Sequence, residues 1–357
     1  MSGPLRSRGN TAPAWLRIRV EESGHDCSRR PPPDVTARRS PAVRGHSLLL
    51  RRLPVRRLVA VLLVVLAAVP AACSGAGSSS PRDDRVLTIG AIPDQDPDKL
   101  ARLYGTVAGH LGTRLGVRVE FRPVTDYTAA VSLFRTGDLQ LVWFGGLTGV
   151  QARQQTPGAV PLVQRDIDSS FHSLFLGHVG SGLAPVDDVA GLAELRGRRF
   201  TFGSRSSTSG FLMPASFLLD AGVDPARDLA GRPGYSGSHD TTIDLVSSGS
   251  YEAGAVNEQV WRSRLARGTV DTDRVQVLFR SPAFADYHWL AGPSIDQEFG
   301  AGTTARVRQA LLDLRPDRAP DATVLELFGA RSFVPTSPAA YTQIEATARR
   351  LDLLGGS

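Results

Sequence analysis

The sequence FGSRSSTSG occupies residues 202–210 and is followed by the apolar sequence FLMPASFLL at residues 211–219. A strand-like RFTF sequence at residues 199–202 precedes it, so the hydroxyl groups lie where a predicted strand ends and a predicted helix begins. The start of a helix exposes unpaired N–H groups and partial positive charge, and Ser and Thr hydroxyls add donors. The segment therefore predicts an oxyanion site, which we call the cradle, formed by Ser206, Ser207, Thr208, Ser209 and Gly210.

A simpler interpretation of the cradle is a helix cap at Thr208 or Ser209. One hydroxyl is enough for a cap, whereas four occur at residues 206–209. This excess favours the anion site over the cap alone.

Strand and helix patterns alternate on both sides of the cradle. Strand-like runs at residues 86–92, 117–121 and 139–144 are separated by segments with helical spacing, and a second series of this kind begins at residue 199. This alternation predicts an α/β fold with parallel sheets covered by helices. We expect two lobes with a ligand cleft at the carboxyl ends of the strands. The predicted boundaries are residues 86–178 for the first lobe, 179–284 for the second, and 285–357 for a return to the first.

Polar residues at other predicted junctions are candidates for the same cleft. Tyr127 can offer a hydroxyl to an anion, or it can pack as a half-buried aromatic residue. His239 can donate a hydrogen bond, whereas Asp240 is placed either to bind or, more commonly, to cap a helix. Three further candidates stand at a strand end or where the chain crosses back between the lobes: Asn257, Glu258 and Asp286.

The sequence offers little support for catalysis. It contains no Gly-x-Ser-x-Gly around Ser207 or Ser209, no Gly-x-x-x-x-Gly-Lys and no His-Glu-x-x-His. We therefore predict a binding protein with no catalytic residue, no metal and no cofactor. The alternatives are a hydrolase of phosphorylated or sulfated metabolites that uses Ser209 and His239, and a sensor that presents its ligand to a receptor.

The basic charge of the chain is concentrated at its amino terminus. Residues 1–72 contain 13 Arg and 4 acidic residues, whereas residues 73–357 contain 28 basic and 31 acidic residues. The predicted mature part is therefore slightly acidic, and a nucleic-acid partner is not expected.

The amino-terminal region resembles a bacterial lipoprotein signal. Arg56 and Arg57 precede an apolar run at residues 58–69, and small residues lead to Cys73. We expect residues 55–72 to be a signal peptide, Cys73 to carry the lipid and residues 73–85 to form a flexible tether. Residues 1–54 are rich in Arg, Pro and Ser and are predicted to be a disordered extension, or not translated at all.

Several motifs together resemble the phosphonate-binding periplasmic protein family. The motifs are GSRSSTSGFLMP at residues 203–214, YSGSHD at 235–240, EAGAVNE at 252–258 and VTDY at 124–127, in an order and spacing compatible with that family. IPD at residues 92–94 and AVNE at 255–258 look closest to a branch labelled selenate or selenium-oxyanion binding. The resemblance implies a type II periplasmic-binding fold whose ligand contacts match the Ser-Thr-Ser run, Tyr127, His239 and Asp286.

The resemblance also implies a role in transport. A member of this family would be the extracytoplasmic receptor of an ABC importer, with permease and ATPase subunits as partners. We expect a monomer, anchored as a lipoprotein to the outer face of the cell membrane. Because an ionised Asp286 accepts a hydrogen bond but repels an oxyanion without a proton, we predict a protonatable ligand, phosphonate-like or selenite, ahead of selenate.

Overall fold

The computed structural model describes residues 85–354, all within one folded unit. The predicted extension, signal peptide and lipid-bearing Cys73 lie outside the described residues, as does nearly all of the predicted tether. Within this part of the chain, no helix combines the length and the apolar character needed to cross a bilayer.

The described residues form eleven strands and ten α-helices. The strands are β1 (Val86–Ala91), β2 (Arg118–Phe121), β3 (Leu141–Phe144), β4 (Val160–Arg165), β5 (Ser173–His178), β6 (Phe200–Phe202), β7 (Gly234–Tyr235), β8 (Ala253–Asn257), β9 (Val275–Arg280), β10 (His288–Ala291) and β11 (Phe333–Pro335). The helices are α1 (Pro97–Leu115), α2 (Tyr127–Thr136), α3 (Gly146–Gln155), α4 (Met213–Asp220), α5 (His239–Ser247), α6 (Glu258–Ala266), α7 (Ile295–Phe299), α8 (Thr303–Leu312), α9 (Ala319–Phe328) and α10 (Thr342–Arg350).

Local sequence signals set the ends of these helices. Asp96 caps α1 by accepting the Lys99 N–H at 2.9 Å, and Pro97 occupies the first turn, where its missing N–H costs nothing. Gly116 ends the helix in the left-handed conformation at φ 69°. Leu100, Leu103, Val107 and Leu111 recur at helical spacing and are buried against the first sheet.

The strands form two sheets, so the predicted α/β fold with two lobes is confirmed. The first sheet has the order β11-β4-β10-β3-β1-β2 and the second has the order β7-β6-β8-β5-β9. Neither sheet is wholly parallel, contrary to the sequence prediction. Strand β10 runs antiparallel to β3 and β4, and β5 runs antiparallel to β8 and β9, because each enters its sheet from the other lobe.

The chain passes from the first lobe to the second earlier than the sequence suggested. Strand β5 pairs with β8 and β9 of the second sheet, so the crossing lies at residues 166–172 and not after residue 178. The return crossing lies at residues 281–287, and a bridge between Phe171 and Phe284 joins the two crossings. Sequence alternation marks β5 as a strand but says nothing about the sheet that receives it. These two paired crossings form the back of the cleft.

Candidate functional site

The cradle is the start of the helix that continues into α4. Its first turn, Thr208–Leu212, is π-helical, a form that occurs frequently at functional sites. The Ser207 Oγ atom caps this turn by accepting the Gly210 N–H at 2.9 Å. The Ser173 hydroxyl donates to the Ser209 carbonyl at 2.8 Å and fixes the turn to strand β5. Ser207 thus provides the cap, and the hydroxyls of Thr208 and Ser209 remain for another purpose.

The start of α3 in the first lobe faces the cradle. The Gly146 N–H donates to Asp286 Oδ1 at 2.9 Å, and the Leu147 N–H donates to Thr208 Oγ1 at 3.0 Å. A Cβ on Gly145 would lie only 3.2 Å from both acceptor oxygens, so glycine permits this approach. Two helix starts, one from each lobe, therefore converge with their partial positive charges on one position.

Three buried polar atoms in this region have no hydrogen-bond partner within residues 85–354: Tyr127 Oη, Ser209 Oγ and Asp286 Oδ2. Burial raises the pKa of Tyr127, the Asp286 charge raises it further, and the nearby Ser207 hydroxyl lowers it. Burial likewise raises the pKa of Asp286, and the nearby hydroxyls of Thr208 and Ser209 lower it. Since buried polar groups are nearly always paired, this combination indicates a position for a polar ligand.

The Asp286 carboxyl is unusual in its acidity. Burial raises its pKa from 3.8 to about 7, against the opposing effects of the Gly146 N–H and the hydroxyls of Thr208 and Ser209. The group can therefore hold or release a proton near neutral pH. It can donate a hydrogen bond when protonated and accept one when ionised.

His239 lies at the first position of α5 and is fully buried. Burial lowers its pKa from 6.5 to about 3, so the ring is neutral at physiological pH. Its Nδ1 atom accepts the Asn257 N–H at 3.3 Å, which assigns the ring proton to Nε2. A Cβ on Gly210 would lie 3.0 Å from His239 Cε1, so the ring covers the cradle. His239 is thus a neutral ring beside the cradle, with its Nε2 atom 3.5 Å from the Tyr287 hydroxyl.

A layer of four buried residues, which we call the partition, closes one side of the cradle. Tyr287 donates to Asp94 Oδ2 at 2.8 Å and accepts from Asn257 Nδ2 at 3.0 Å. The His239 N–H donates to the Asp94 carbonyl at 3.0 Å. Asp94 and Tyr287 were missed as site candidates in the sequence. The signal available for Asp94 was its position just after the carboxyl end of β1, where ligands bind in α/β sheets.

The remaining predicted site residues lie outside the cradle. Ser206 is partly exposed, and its N–H contacts Ser204. Asp240 accepts the Asp96 N–H at 2.9 Å across the cleft, and Asn257 caps α6 by accepting the Val260 N–H at 2.6 Å.

Glu258 is engaged with two arginines of its own lobe. It pairs with Arg262 at 2.6 Å and Arg280 at 2.9 Å, and their hydrogen bonds and charges hold its pKa below the ordinary value although burial opposes them. These contacts give Glu258 a structural role in the second lobe.

The two lobes also touch directly at a distance from the cradle. Arg350, the last residue of α10, reaches Asp220 of α4 at 3.0 Å and donates to the Ser216 hydroxyl. Together with the contacts of Leu147 and His239 across the cleft, this ion pair defines a closed arrangement of the lobes.

Metal ligation is not supported by the described residues. No group of three or more His, Cys, Asp or Glu side chains in residues 85–354 is arranged to hold an ion.

Comparison with known proteins identifies the family. The sequence profile of the periplasmic substrate-binding proteins of phosphonate ABC transporters matches residues 89–341. The chain belongs to this family. It is thus an extracytoplasmic substrate-binding protein of the ABC-importer class, and the prediction of a binding protein, not an enzyme, is confirmed.

Individual relatives of this substrate-binding protein agree with the family. It is 42% identical over 268 residues to the protein named probable ABC transporter phosphite binding protein PhnD1 of Prochlorococcus marinus (strain MIT 9301), covering 75% of this chain and 90% of that protein. It is 25% identical over 256 residues to the phosphate-import protein PhnD of Mycolicibacterium smegmatis, covering 67% of this chain and 78% of that protein. The solved complex of PhnD1 with methylphosphonate superposes with a TM-score of 0.73 at 42% identity, covering 75% of this chain and 98% of the other.

Proposed function

We propose that this substrate-binding protein holds a small protonatable oxyanion of the phosphite or phosphonate class in the cradle. The observation that carries the proposal is the convergence of three buried, unpartnered polar atoms, Tyr127 Oη, Ser209 Oγ and Asp286 Oδ2, beside two helix starts. A tetrahedral oxyanion supplies acceptors for the hydroxyls of Tyr127 and Ser209, and the partial positive charge of the two helix starts favours its negative charge.

Asp286 favours a ligand that carries a proton. An ionised carboxylate facing an oxyanion without a proton would be repelled, whereas a P–OH group donates to it in a charge-assisted hydrogen bond. Because the pKa of Asp286 is about 7, its carboxyl can share one proton with a ligand near neutral pH. Phosphite, phosphonates, phosphate and hydrogen selenite can supply this proton themselves, whereas selenate and sulfate avoid repulsion only while Asp286 is protonated. PhnD1, named for phosphite and solved with methylphosphonate, supports the phosphorus ligands.

Titration calorimetry combined with product analysis tests the function. We expect phosphite and methylphosphonate to bind with one site per protein and to be recovered unchanged, and selenate and sulfate to bind more weakly. Release of a product from a phosphorylated or sulfated metabolite would support the hydrolase alternative and overturn the proposal. Absence of binding by every phosphorus oxyanion would do so as well. The assignment to selenium oxyanions stays a prediction that the selenite and selenate arms of the same titrations decide.

We propose permease and ATPase subunits as partners and a lipid anchor at Cys73 as the means of membrane attachment. The support for the anchor is the sequence around Cys73, which lies outside the described residues. One acyl chain holds a protein only weakly, so firm attachment requires two or more chains on this residue.

Fractionation of cells that express Cys73→Ala tests the anchor. We expect the variant to move from the membrane fraction to the soluble fraction, because it cannot receive the lipid. Cys27→Ala is the matched control, since Cys27 precedes the predicted cleavage site and its loss should leave the protein with the membrane. Equal membrane retention of Cys73→Ala and the wild type would contradict the anchor.

A further inference from the structure

A chamber of about 1120 Å³ lies between the lobes, and none of the cradle residues 206–210 lines it. Its walls come from the start of α1 and the end of α9 in the first lobe, and from α6 in the second. Small-molecule sites span roughly 300–1,000 Å³, so the chamber is large enough for a ligand of its own. Such a ligand would be separate from the oxyanion in the cradle.

Three basic side chains of the chamber lining make no ion pair within residues 85–354: Lys99, Arg102 and Arg267. Lys99 and Arg102 are three positions apart on α1 and therefore share a face of that helix. Arg267 follows the last residue of α6 in the other lobe. Lys99 donates to Gln95 and Arg267 donates to Ser263, and both of these partners are neutral. Cations from both lobes thus line one chamber without a negative partner.

The other basic residues of the lining are already neutralised. Arg165 pairs with Asp168 at 2.6 Å, and Arg262 and Arg280 both pair with Glu258. These pairs leave the charges of the three residues named above as the available ones.

Most carboxyl groups of the lining are also engaged. Asp94 accepts the Tyr287 hydroxyl, and Asp96 and Asp240 each accept a backbone N–H. Glu326 makes no ion pair with any described residue, but one carboxylate cannot balance three cations. The chamber therefore retains positive charge that no described residue compensates.

Lys99 and Arg267 repel each other across the cleft. Burial lowers the pKa of Lys99, the Asp94 carboxyl raises it, the Arg267 charge lowers it and the Asp240 carboxyl raises it. The Arg267 guanidinium is thus near enough to act on the Lys99 amine from the opposite lobe. This repulsion opposes closure, and an anion between the two groups would replace it with attraction.

We propose that the chamber is a second anion site, in which Lys99, Arg102 and Arg267 bind a small polyanion that bridges the two lobes and stabilises the closed form. Several anionic groups on one molecule can contact cations of both lobes at once. Linkage then requires that a polyanion in the chamber and an oxyanion in the cradle each strengthen the binding of the other. This coupling rests on the proposed function, whereas the polyanion site itself does not.

Titration of pyrophosphate into protein saturated with phosphite tests the site. Because phosphite fills the cradle first, further binding must occur elsewhere. We expect one additional pyrophosphate site per protein. In the reverse titration, saturating pyrophosphate should raise phosphite affinity by about fivefold or more. All samples are adjusted to one ionic strength with sodium chloride, because screening alone changes anion binding.

Arg102→Ala and Arg267→Ala should each weaken pyrophosphate binding by about tenfold or more, because each removes a cationic donor to the anion. Phosphite affinity without pyrophosphate should stay unchanged in both variants, because both residues lie outside the cradle. Arg114→Ala is the matched control. Arg114 is exposed in the last turn of α1, so its loss removes the same charge from the same helix far from Arg102. This control should bind pyrophosphate like the wild type.

Three results would overturn the inference. The first is the absence of a second site, and the second is displacement of phosphite by pyrophosphate, which would place pyrophosphate in the cradle. The third is an equal loss in all three variants, which would indicate general attraction of anions to basic surface residues. A wild type that bound pyrophosphate through Arg102 and Arg267 but did not bind phosphite would support the second site and contradict the proposed function.

Discussion

Ser209→Ala and Tyr127→Phe are each expected to weaken phosphite binding by about ten- to a hundredfold, corresponding to roughly 1.5–3 kcal/mol for a lost donor to a charged partner. Neither hydroxyl makes a hydrogen bond of good geometry within residues 85–354, although Ser207 and Asp286 lie near them, so neither substitution removes a bond that holds the described fold together. The loss should therefore appear in calorimetric affinity and not in the melting temperature of the free protein.

Thr156→Val is the matched control for these two variants. Thr156 also carries a buried, unpartnered hydroxyl in the described region, but it follows the last turn of α3, at the end remote from the cradle. Its removal should leave phosphite affinity unchanged. If Ser209→Ala and Tyr127→Phe bound phosphite as tightly as Thr156→Val, the anion would have to bind elsewhere.

Raising the pH from about 7 to about 9 should weaken the binding of phosphite and methylphosphonate by up to about tenfold per pH unit. The closed site holds one proton between Asp286 and the anion, and above both pKa values this proton must be taken up from solution. The direction of this pH effect follows from the raised pKa of Asp286. Between about pH 4 and 7, the carboxyl of the closed form keeps a proton that an exposed carboxyl has already lost. The closed form loses this proton, and the stabilisation that comes with it, as the pH rises through about 7. His239, with a pKa of about 3, stays neutral throughout.

The Asp286→Asn variant distinguishes the contribution of the Asp286 carboxyl to the pH dependence from that of other titrating groups. The amide cannot accept a proton, so the pH dependence of phosphite binding should flatten and its affinity at pH 7 should fall by about ten- to a hundredfold. Selenate affinity should rise, because the amide can donate where the carboxylate repels. Wild-type protein that binds selenate more tightly than phosphite, with no loss at pH 9, would show that Asp286 does not select for a proton.

Local chemistry explains why the helix start within the cradle was predictable. The run of hydroxyls at residues 206–209 signals a helix start through neighbouring residues alone, and the alternation of strands and helices needs no long-range information. The structure divides the run, however, since Ser207 caps, Ser209 is unpartnered and Ser206 faces outward. These roles depend on the residue at which the π-helical turn begins, and the periodicity of the sequence does not reveal that residue.

Contacts between distant residues explain what sequence reasoning missed. The Asp94 carbonyl meets the His239 N–H, and Tyr287 meets both Asp94 and Asn257, only because two lobes close on each other. The same limit applies to β5, whose alternating pattern is clear but whose sheet depends on where the chain crosses. Glu258 was a candidate for the ligand site because it follows a strand end, but its carboxyl is paired with two arginines of its own lobe.

The direct contacts between the lobes separate the strength of binding from its selectivity. The Arg350–Asp220 pair and the Leu147–Thr208 hydrogen bond stabilise the closed shape whether or not an anion is present. They raise the fraction of protein that is ready to bind, and apparent affinity scales with that fraction for every ligand alike. Since an exposed ion pair contributes only roughly 0.2–1 kcal/mol, sequence change at Arg350 can adjust affinity in small steps. Substitutions at Arg350 would thus adjust the binding affinity to a scarce or plentiful nutrient, while the cradle continues to decide which anion is bound.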